Sequence, residues 1–282
     1  MKDPSGWYTY KVSIQRGFAL RYQIQDTLQN NIFRTNIVFG SLPIGDPADI
    51  SLSAIEHIKT ADVILVENHR QFSRLINAVN YLNIEERPNI NPRGIILQYN
   101  LESDPEHVAE MKNVLLEHVK NRKKIFAVSD EGSSVFLEPM SQFKSMLVEM
   151  NIPYQVLSGP NSVISAVVNG KRNVHSFYFA GNFQHIKNKD ETFQSIKSLN
   201  KPTVIILKSE GLEEVVSELS NQFSDNWEAD FQMNLSMDTE VHIDGTFDKV
   251  LEFVYTNSRL WSQEDEIQKV IITLYPKGYH AE

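Results

Sequence analysis

The sequence predicts an α/β protein of two domains, with a mostly parallel, helix-covered sheet in the first and a mixed sheet in the second. Three observations carry this expectation. Short runs in the first half are apolar throughout rather than alternating, as strands are when both sheet faces are covered. Segments of helix length lie between them, with apolar residues three and four apart. The pattern then resets at Ser158-Gly159-Pro160-Asn161-Ser162, where a Gly-Pro turn opens a new series.

Residues 1–35 are set apart as an N-terminal extension, in which Tyr8, Tyr10 and Val12 alternate as in a strand. The first domain is expected over 36–158. Its strands are Asn36–Gly40, Val63–Val66, Ile95–Leu97, Ile125–Val128 and Tyr154–Leu157. The helical stripes between them are Leu52, Ile55 and Ile58; Phe72, Leu75, Ile76 and Val79; Val108, Met111, Leu115 and Val119; and Met140, Phe143, Leu147 and Met150. The third stripe starts at Ser103-Asp104-Pro105-Glu106, a cap, a proline near the first helical position and a capping-box glutamate. Strands alternating with helices give a mostly parallel sheet. The second domain, 159–282, opens with a short apolar helix ending at Asn169-Gly170. Strands are expected at Phe177–Phe179, Val204–Leu207, Phe231–Leu235 and Val270–Leu274. Helical stripes fall at Leu212, Val215, Val216 and Leu219, and at Phe247, Val250, Leu251 and Val254.

Composition narrows the chemistry. The 282 residues include no cysteine, which removes thiolate catalysis and cysteine metal sites and makes a reducing cytoplasm the expected location. With 27 basic and 36 acidic side chains the formal net charge is −9, which disfavours broad, non-specific nucleic-acid binding but leaves room for a local basic patch. No apolar stretch reaches the ~18 residues of a membrane span, and no membrane partner is expected. The loop Gly40–Asp46 has phosphate-loop glycine spacing, yet Asp46 stands where the lysine must be. No G-x-G-x-x-G follows a strand, and His107 and His118, about 16 Å apart on a helix, are too distant to share a metal. No metal site is expected.

What remains is a set of polar, small-residue loops at strand carboxyl ends, where open α/β sheets bind ligands. They are Ser41–Asp46, Glu67–Arg70, Ser129–Ser134 and Ser158–Ser162. In order and spacing these loops resemble the tetrapyrrole-methylase superfamily of S-adenosylmethionine (SAM) methyltransferases. The nearest branch is the bacterial enzymes that 2′-O-methylate a cytidine of small-subunit ribosomal RNA. The resemblance rests on Leu42-Pro43-Ile44-Gly45-Asp46 with Ala48–Ala54, on Glu67-Asn68-His69-Arg70, on Ser129-Asp130-Glu131-Gly132-Ser133-Ser134 followed by Glu138-Pro139, and on Ser158–Ser162. It runs from about Ile37 to Phe183 and continues more weakly to about Leu274.

The resemblance implies a two-domain (class III) methyltransferase fold, a homodimer, and SAM held in a cleft between the domains. By position, Leu42, Pro43, Ser129, Asp130, Gly132, Ser133, Phe136, Pro160, Ser162 and Leu207 would meet the cofactor. SAM carries its methyl on a sulfonium, so the protein must align a nucleophile and exclude water. A hydroxyl acceptor needs a base. Glu67 and His69 are the candidates, with Arg70 placed to hold a phosphate or carboxylate.

Departures from that branch bear on the substrate. Its Asp-Thr becomes Asn68-His69, its Phe-Leu-Pro-Arg-Lys becomes Phe183-Gln184-His185-Ile186-Lys187, and its Arg-Glu-Leu-Thr-Lys becomes Met233-Asn234-Leu235-Ser236-Met237, with every charge gone. Those lost charges count against RNA phosphates while leaving the cofactor loops intact, so the expected function is SAM-dependent methyl transfer, with 2′-O-methylation of RNA as one reading of the acceptor. The alternatives are a small-molecule or tetrapyrrole-like acceptor, or SAM binding without turnover.

Overall fold

The computed structural model describes residues 35–82, 89–99, 105–134, 140–257 and 269–279, with backbone alone at 105–108 and 269. The expected strand at Tyr8–Val12, the capping signal at Ser103-Asp104, the Val108 and His107 side chains and the candidate Phe136 lie outside what it describes. In chain order the first half runs β1 (Ile37–Phe39), β2 (Ser41–Leu42), α1 (Leu52–Thr60), β3 (Val63–Val66), α2 (His69–Tyr81), β4 (Ile95–Gln98), α3 (Pro105–Lys120), β5 (Ile125–Val128), β6 (Gly132–Ser133), α4 (Met140–Glu149) and β7 (Gln155–Val156). The second runs α5 (Ser162–Asn169), β8 (Tyr178–Asn182), α6 (Lys189–Leu199), β9 (Thr203–Lys208), α7 (Leu212–Phe223), β10 (Trp227–Met233), β11 (Val241–Gly245), α8 (Phe247–Thr256) and β12 (Lys269–Pro276).

Two compact units form. The first comprises Met1–Gly40, Ile50–Asp130 and Ser134–Leu157, and the second Ser41–Asp49, Glu131–Ser133 and Ser158–Glu282. Two short segments of the first half of the chain thus pack with the second unit.

The first unit is built on the sheet β4-β3-β5-β1-β7, in which every pairing is parallel. The three central strands are buried along their whole length, which is why their sequences are continuous apolar runs. Phe39 anchors one side of the sheet against Phe143 and Tyr154, with ring centroids 5.6 and 5.5 Å away. Gly40 ends β1 because a Cβ there would lie 2.2 Å from the Phe126 ring. Four expected core positions turn outward. Ile95 and Val156, on the edge strands β4 and β7, are 50 % and 49 % exposed; the other two lie at helix ends. Leu52 is 60 % exposed, because Ser51 caps α1 and puts Leu52 on its open first turn, so the helix buries Ala54, Ile55, His57 and Ile58 instead. Met150 falls beyond α4, where Asn151 takes a left-handed conformation (φ 54°) and ends the helix.

The second unit carries the mixed sheet β11-β10-β12-β9-β8, with only β8 and β9 parallel. The strand expected at Phe231–Leu235 runs instead from Trp227 to Met233. Positive φ at Asn234 and Ser236 (53° and 64°) turns the chain into β11, which the sequence reading did not predict. One face of the sheet packs Ile205, Phe231, Ile272 and Leu274 against Phe193, Val216, Leu219 and Val250.

The other face is polar. Strand alternation places Glu228, Asp230 and Gln232 beside Asp244 and His242 of β11 and Tyr275 and Thr273 of β12. Asp230 and Asp244 are directly opposed, a repulsive cross-strand pair. It is offset by His242, whose Nε2 lies 2.7 Å from Asp230 Oδ1, and by Arg172, which bridges Asp244 and Glu228. Burial holds the Asp230 carboxyl above the ordinary carboxylate range despite the opposing pull of His242. The native state therefore binds this proton more tightly than the unfolded chain, and stability falls as pH rises above about 4. Asp230→Asn removes that dependence. In urea melts from pH 4 to 8, the stability of the wild type relative to the variant is expected to fall with rising pH and then level. A constant difference would contradict the assignment.

Candidate functional site

Three of the loops singled out in the sequence meet in the second unit. β2 and β6 pair antiparallel, Ser41 opposite Ser133 and Leu42 opposite Gly132. Two hydroxyls then clamp the third loop, Ser41 Oγ donating to the Pro160 carbonyl at 2.8 Å and Ser133 Oγ at 3.3 Å. Small residues make this approach possible. A Cβ on Gly159 would sit 2.5 Å from Ser41 Cβ, and one on Gly45 would sit 2.2 Å from the Leu235 carbonyl oxygen. The Gly45 contact ties the first loop to the turn at 234–237, where the motif departs from the family. Asn161 closes the arrangement by capping α5, its side chain accepting the Ile164 N–H at 3.1 Å.

Gly132 is the one glycine here held by conformation rather than crowding. Its φ is +63°, while a Cβ would meet nothing closer than Ile44 at 3.4 Å. Gly132→Ala is expected to lower the unfolding free energy by about 1–2 kcal/mol, read from a shift of the urea midpoint at unchanged m-value.

The first unit gathers the other candidates at the carboxyl ends of β3 and β5. The Asn68 N–H donates to Asp130 Oδ1 at 2.9 Å, and the Asp130 N–H reaches back to Glu67 Oε2 at 3.5 Å. The His69 N–H donates to Gln98 Oε1 at the end of β4 (3.2 Å). Asn68 caps α2, accepting from the Arg70 and Gln71 N–H groups. Asp130 thus joins two strand ends, and Glu67 is half-buried beside it. Ser129 Oγ donates to the Ser134 carbonyl at 3.3 Å. Ser134 Oγ is buried without a hydrogen-bond partner among the described residues, a polar atom available to a bound group.

His69 and Arg70 are exposed on the first turn of α2, which carries no acidic side chain. The helix dipole disfavours a cation such as Arg70 there by about 0.3–1 kcal/mol, so a local rule is broken at a predicted site.

The remaining candidates divide. Pro43 is buried, and Pro160 and Ser162 are partly exposed. Leu42 and Leu207 have no exposed surface, and Leu207 belongs to the core of the second unit. The sequence reading missed Ser41 and Gly159, whose roles depend on a contact between positions 118 residues apart. A serine closing β1 and a glycine before the proline were the only local signals.

A family profile for tetrapyrrole (corrin/porphyrin) methylases matches residues 36–251. The chain is similar to a protein named ribosomal RNA small subunit methyltransferase I from Helicobacter pylori, at 28 % identity over 58 % of this chain and 56 % of that protein. It is also similar to the protein of that name from Thermotoga maritima, at 26 % identity over 62 % and 72 %. The chain thus spans little more than half the length of the Helicobacter relative. Among solved structures, a cobalt precorrin-4 methyltransferase of cobalamin biosynthesis superposes with a TM-score of 0.59 at 14 % identity, over 85 % of this chain and 95 % of that one. The uroporphyrin-III C-methyltransferase of Thermus thermophilus, complexed with S-adenosylhomocysteine, gives 0.54 at 14 % identity, over 84 % and 96 %.

Proposed function

The chain belongs to the tetrapyrrole (corrin/porphyrin) methylase family, and on that premise we propose that it transfers a methyl group from SAM to a ribose hydroxyl of RNA. The observation that carries this reading is the clamp in which Ser41 and Ser133 both hold the Pro160 carbonyl. It brings the loops of three separate motifs to one place. The relatives named for ribosomal RNA, and the S-adenosylhomocysteine complex of a protein of like fold, support the substrate and the cofactor.

The residues present fit such a cofactor. Loops rich in glycine, serine and proline offer backbone groups at close range, and Ser134 adds a hydroxyl without a partner among the described residues. When bound, SAM supplies the electrophilic methyl. The cofactor set is Leu42, Pro43, Ser129, Asp130, Gly132, Ser133, Pro160 and Ser162. The backbone of the β2–β6 pair would line the adenosine and methionine portions. Asp130 keeps its loop against the end of β3 through the Asn68 N–H.

Glu67 is the base that takes the acceptor proton; Asp130, the other half-buried carboxylate of the cluster, serves to hold the Asn68 N–H. Arg70 and His69 meet a phosphate of the acceptor, an anion that would relieve the unfavourable placement of the Arg70 cation at a helix start. Arg70→Ala is expected to raise KM for RNA about tenfold and leave kcat within twofold, measured with labelled SAM. We read the protein as a cytoplasmic homodimer, a reading supported by the apolar residues Ile164 and Val168 on α5, exposed by 51 % and 78 %.

The test is methyl transfer from labelled SAM to small ribosomal subunits, to short RNAs and to metabolite extracts. Label in RNA, lost when the ribose carries a 2′-deoxy group at the site, establishes the reading. Label confined to a small molecule, or SAM binding without any acceptor, overturns it.

A further inference from the structure

The charge of the chain is unevenly shared. The segments of the first unit carry 16 basic and 15 acidic side chains and those of the second 11 and 21, so the first is nearly neutral at +1 and the second stands at −10. Within the first unit four of the bases share the amino ends of the sheet strands, the end away from Glu67 and Asp130. A cavity of about 600 Å³ opens at the amino ends of β3 and β4 and just before β5, lined by Lys59, Arg93, His118, Lys123 and Lys124. The cations come from three places in the chain: the last turn of α1, the loop before β4, and the end of α3 with the residues that follow.

The ordinary explanation of basic residues at helix ends is the helix dipole. It suits Lys59 and His118 but not Arg93, which precedes a strand, or Lys123 and Lys124, which lie beyond the end of α3. Acidic neighbours account for only part of the cluster. Among the described residues Asp62 is the one acidic side chain of the lining, and its Oδ2 accepts the Lys124 backbone N–H at 2.8 Å. Glu56 pairs with Lys59 at 3.5 Å, a surface ion pair of small worth. The floor is rigid, since Gly94 packs so closely that a Cβ would stand 2.5 Å from the Ala61 and Asp62 carbonyl oxygens.

We propose that this cavity binds the phosphate backbone of the RNA acceptor, away from the nucleotide that is methylated. The inference rests on the reading of the chain as an RNA methyltransferase. The chemistry favours a phosphodiester strand over a compact phosphate metabolite. Arg93, Lys123 and Lys124 are exposed, so the site tracks a chain rather than enclosing a ligand. Among the described lining residues there is no Phe, Tyr or Trp, and His118 is the one ring on which a base could stack. It positions RNA without reading sequence. The four-residue strands separating the cavity from Glu67 and Asp130 are about 13 Å long, a span of a few nucleotides. The binding lost with the uncharged Met233–Met237 segment is thereby supplied by another surface.

The test uses the full chain with Arg93→Glu/Lys123→Glu, both exposed, and the milder Arg93→Gln/Lys123→Gln. Anisotropy of a fluorescent single-stranded RNA is titrated from 50 to 200 mM salt. The glutamate variant is expected to bind at least tenfold more weakly at low salt. Its slope of log K against log salt should be shallower by about 1.4, or two phosphates at ~0.7 each, with the glutamine variant intermediate. In turnover, KM for RNA should rise about tenfold with kcat within twofold. The rise in Tm given by SAM should be unchanged. If the wild type methylates RNA but both variants match its affinity, salt slope and KM, the cavity is not an RNA site although the enzyme reading stands. If pyrophosphate raises the Tm of the wild type and not of the variants while RNA binding is equal, the site takes a small phosphate ligand and the inference fails. If the wild type transfers no methyl to RNA, the enzyme reading itself fails.

Discussion

Replacing Glu67 by Gln is expected to lower kcat for RNA methylation by a factor of about 10²–10⁴, the range over which a positioned acid or base contributes. Glutamine preserves the shape of the side chain and an oxygen able to accept the Asp130 N–H, which stands 3.5 Å from Glu67 Oε2. The strand-end cluster that also includes the Asn68–Asp130 bond at 2.9 Å should therefore persist. What is lost is basicity. The prediction is specific in its split: kcat collapses, KM for RNA changes by less than threefold, and SAM still raises the melting temperature as any ligand preferring the native state must. His69→Ala separates the two base candidates. His69 is held through its backbone N–H to Gln98 and its side chain is exposed, so its loss should act on KM in the manner of Arg70. A loss of kcat with His69→Ala and none with Glu67→Gln would exchange their roles.

The first sheet was readable because its physics is local. Strands covered on both faces must be apolar at every position, and Ile37–Phe39, Val63–Val66 and Ile125–Val128 are wholly buried. Its helices announced themselves by spacing, with errors where an end condition outweighed the stripe. Ser51 capping α1 left Leu52 outside, and Asn151 at positive φ left Met150 outside. The second sheet was harder. β11, Val-His-Ile-Asp-Gly, alternates in the way of a half-buried strand, but its polar members are half-buried too, facing the layer that holds Asp230 and Arg172. Nothing in one sequence distinguishes polar residues bound for that layer from polar residues bound for water.

The site shows the same division. Loops at strand ends could be named because glycine, serine and proline cluster there. Which of them meet is decided by contacts across the chain, such as Ser41 with Pro160 and Gly45 with Leu235. Resemblance gave the positions, and geometry separated Gly132, whose φ of +63° needs glycine, from Leu207, a member of the core. The basic cavity was invisible in the sequence for the same reason. Lys59, Arg93 and Lys123 are far apart in the chain and share one opening only once β3, β4 and β5 are in register.

The polar layer that hid β11 also sets the largest expected loss of stability. Arg172→Met should destabilise the second unit by about 2–4 kcal/mol, within the range for breaking a largely desolvated ion network, or roughly 5–15 °C in Tm. Arg172 lies over the Tyr275 ring at 4.5 Å and reaches Glu228 at 2.5 Å and Asp244, with a fifth of its side chain exposed. Methionine keeps much of the apolar stem, so the loss falls on charge rather than on packing. Without the guanidinium, Glu228 and Asp244 are left beside the buried Asp230, and the repulsion built into the Asp230–Asp244 pairing is offset by His242 alone. Adding Glu228→Gln and Asp244→Asn to Arg172→Met should therefore recover at least half of the loss, since the charges that needed the arginine are gone. If the triple variant is no more stable than Arg172→Met, the arginine acts through its packing on Tyr275 and not by neutralising the layer. Because Arg172 and its partners belong to the second unit, the Arg172→Met protein at a temperature where it remains folded should keep whatever RNA affinity the proposed basic cavity of the first unit supplies.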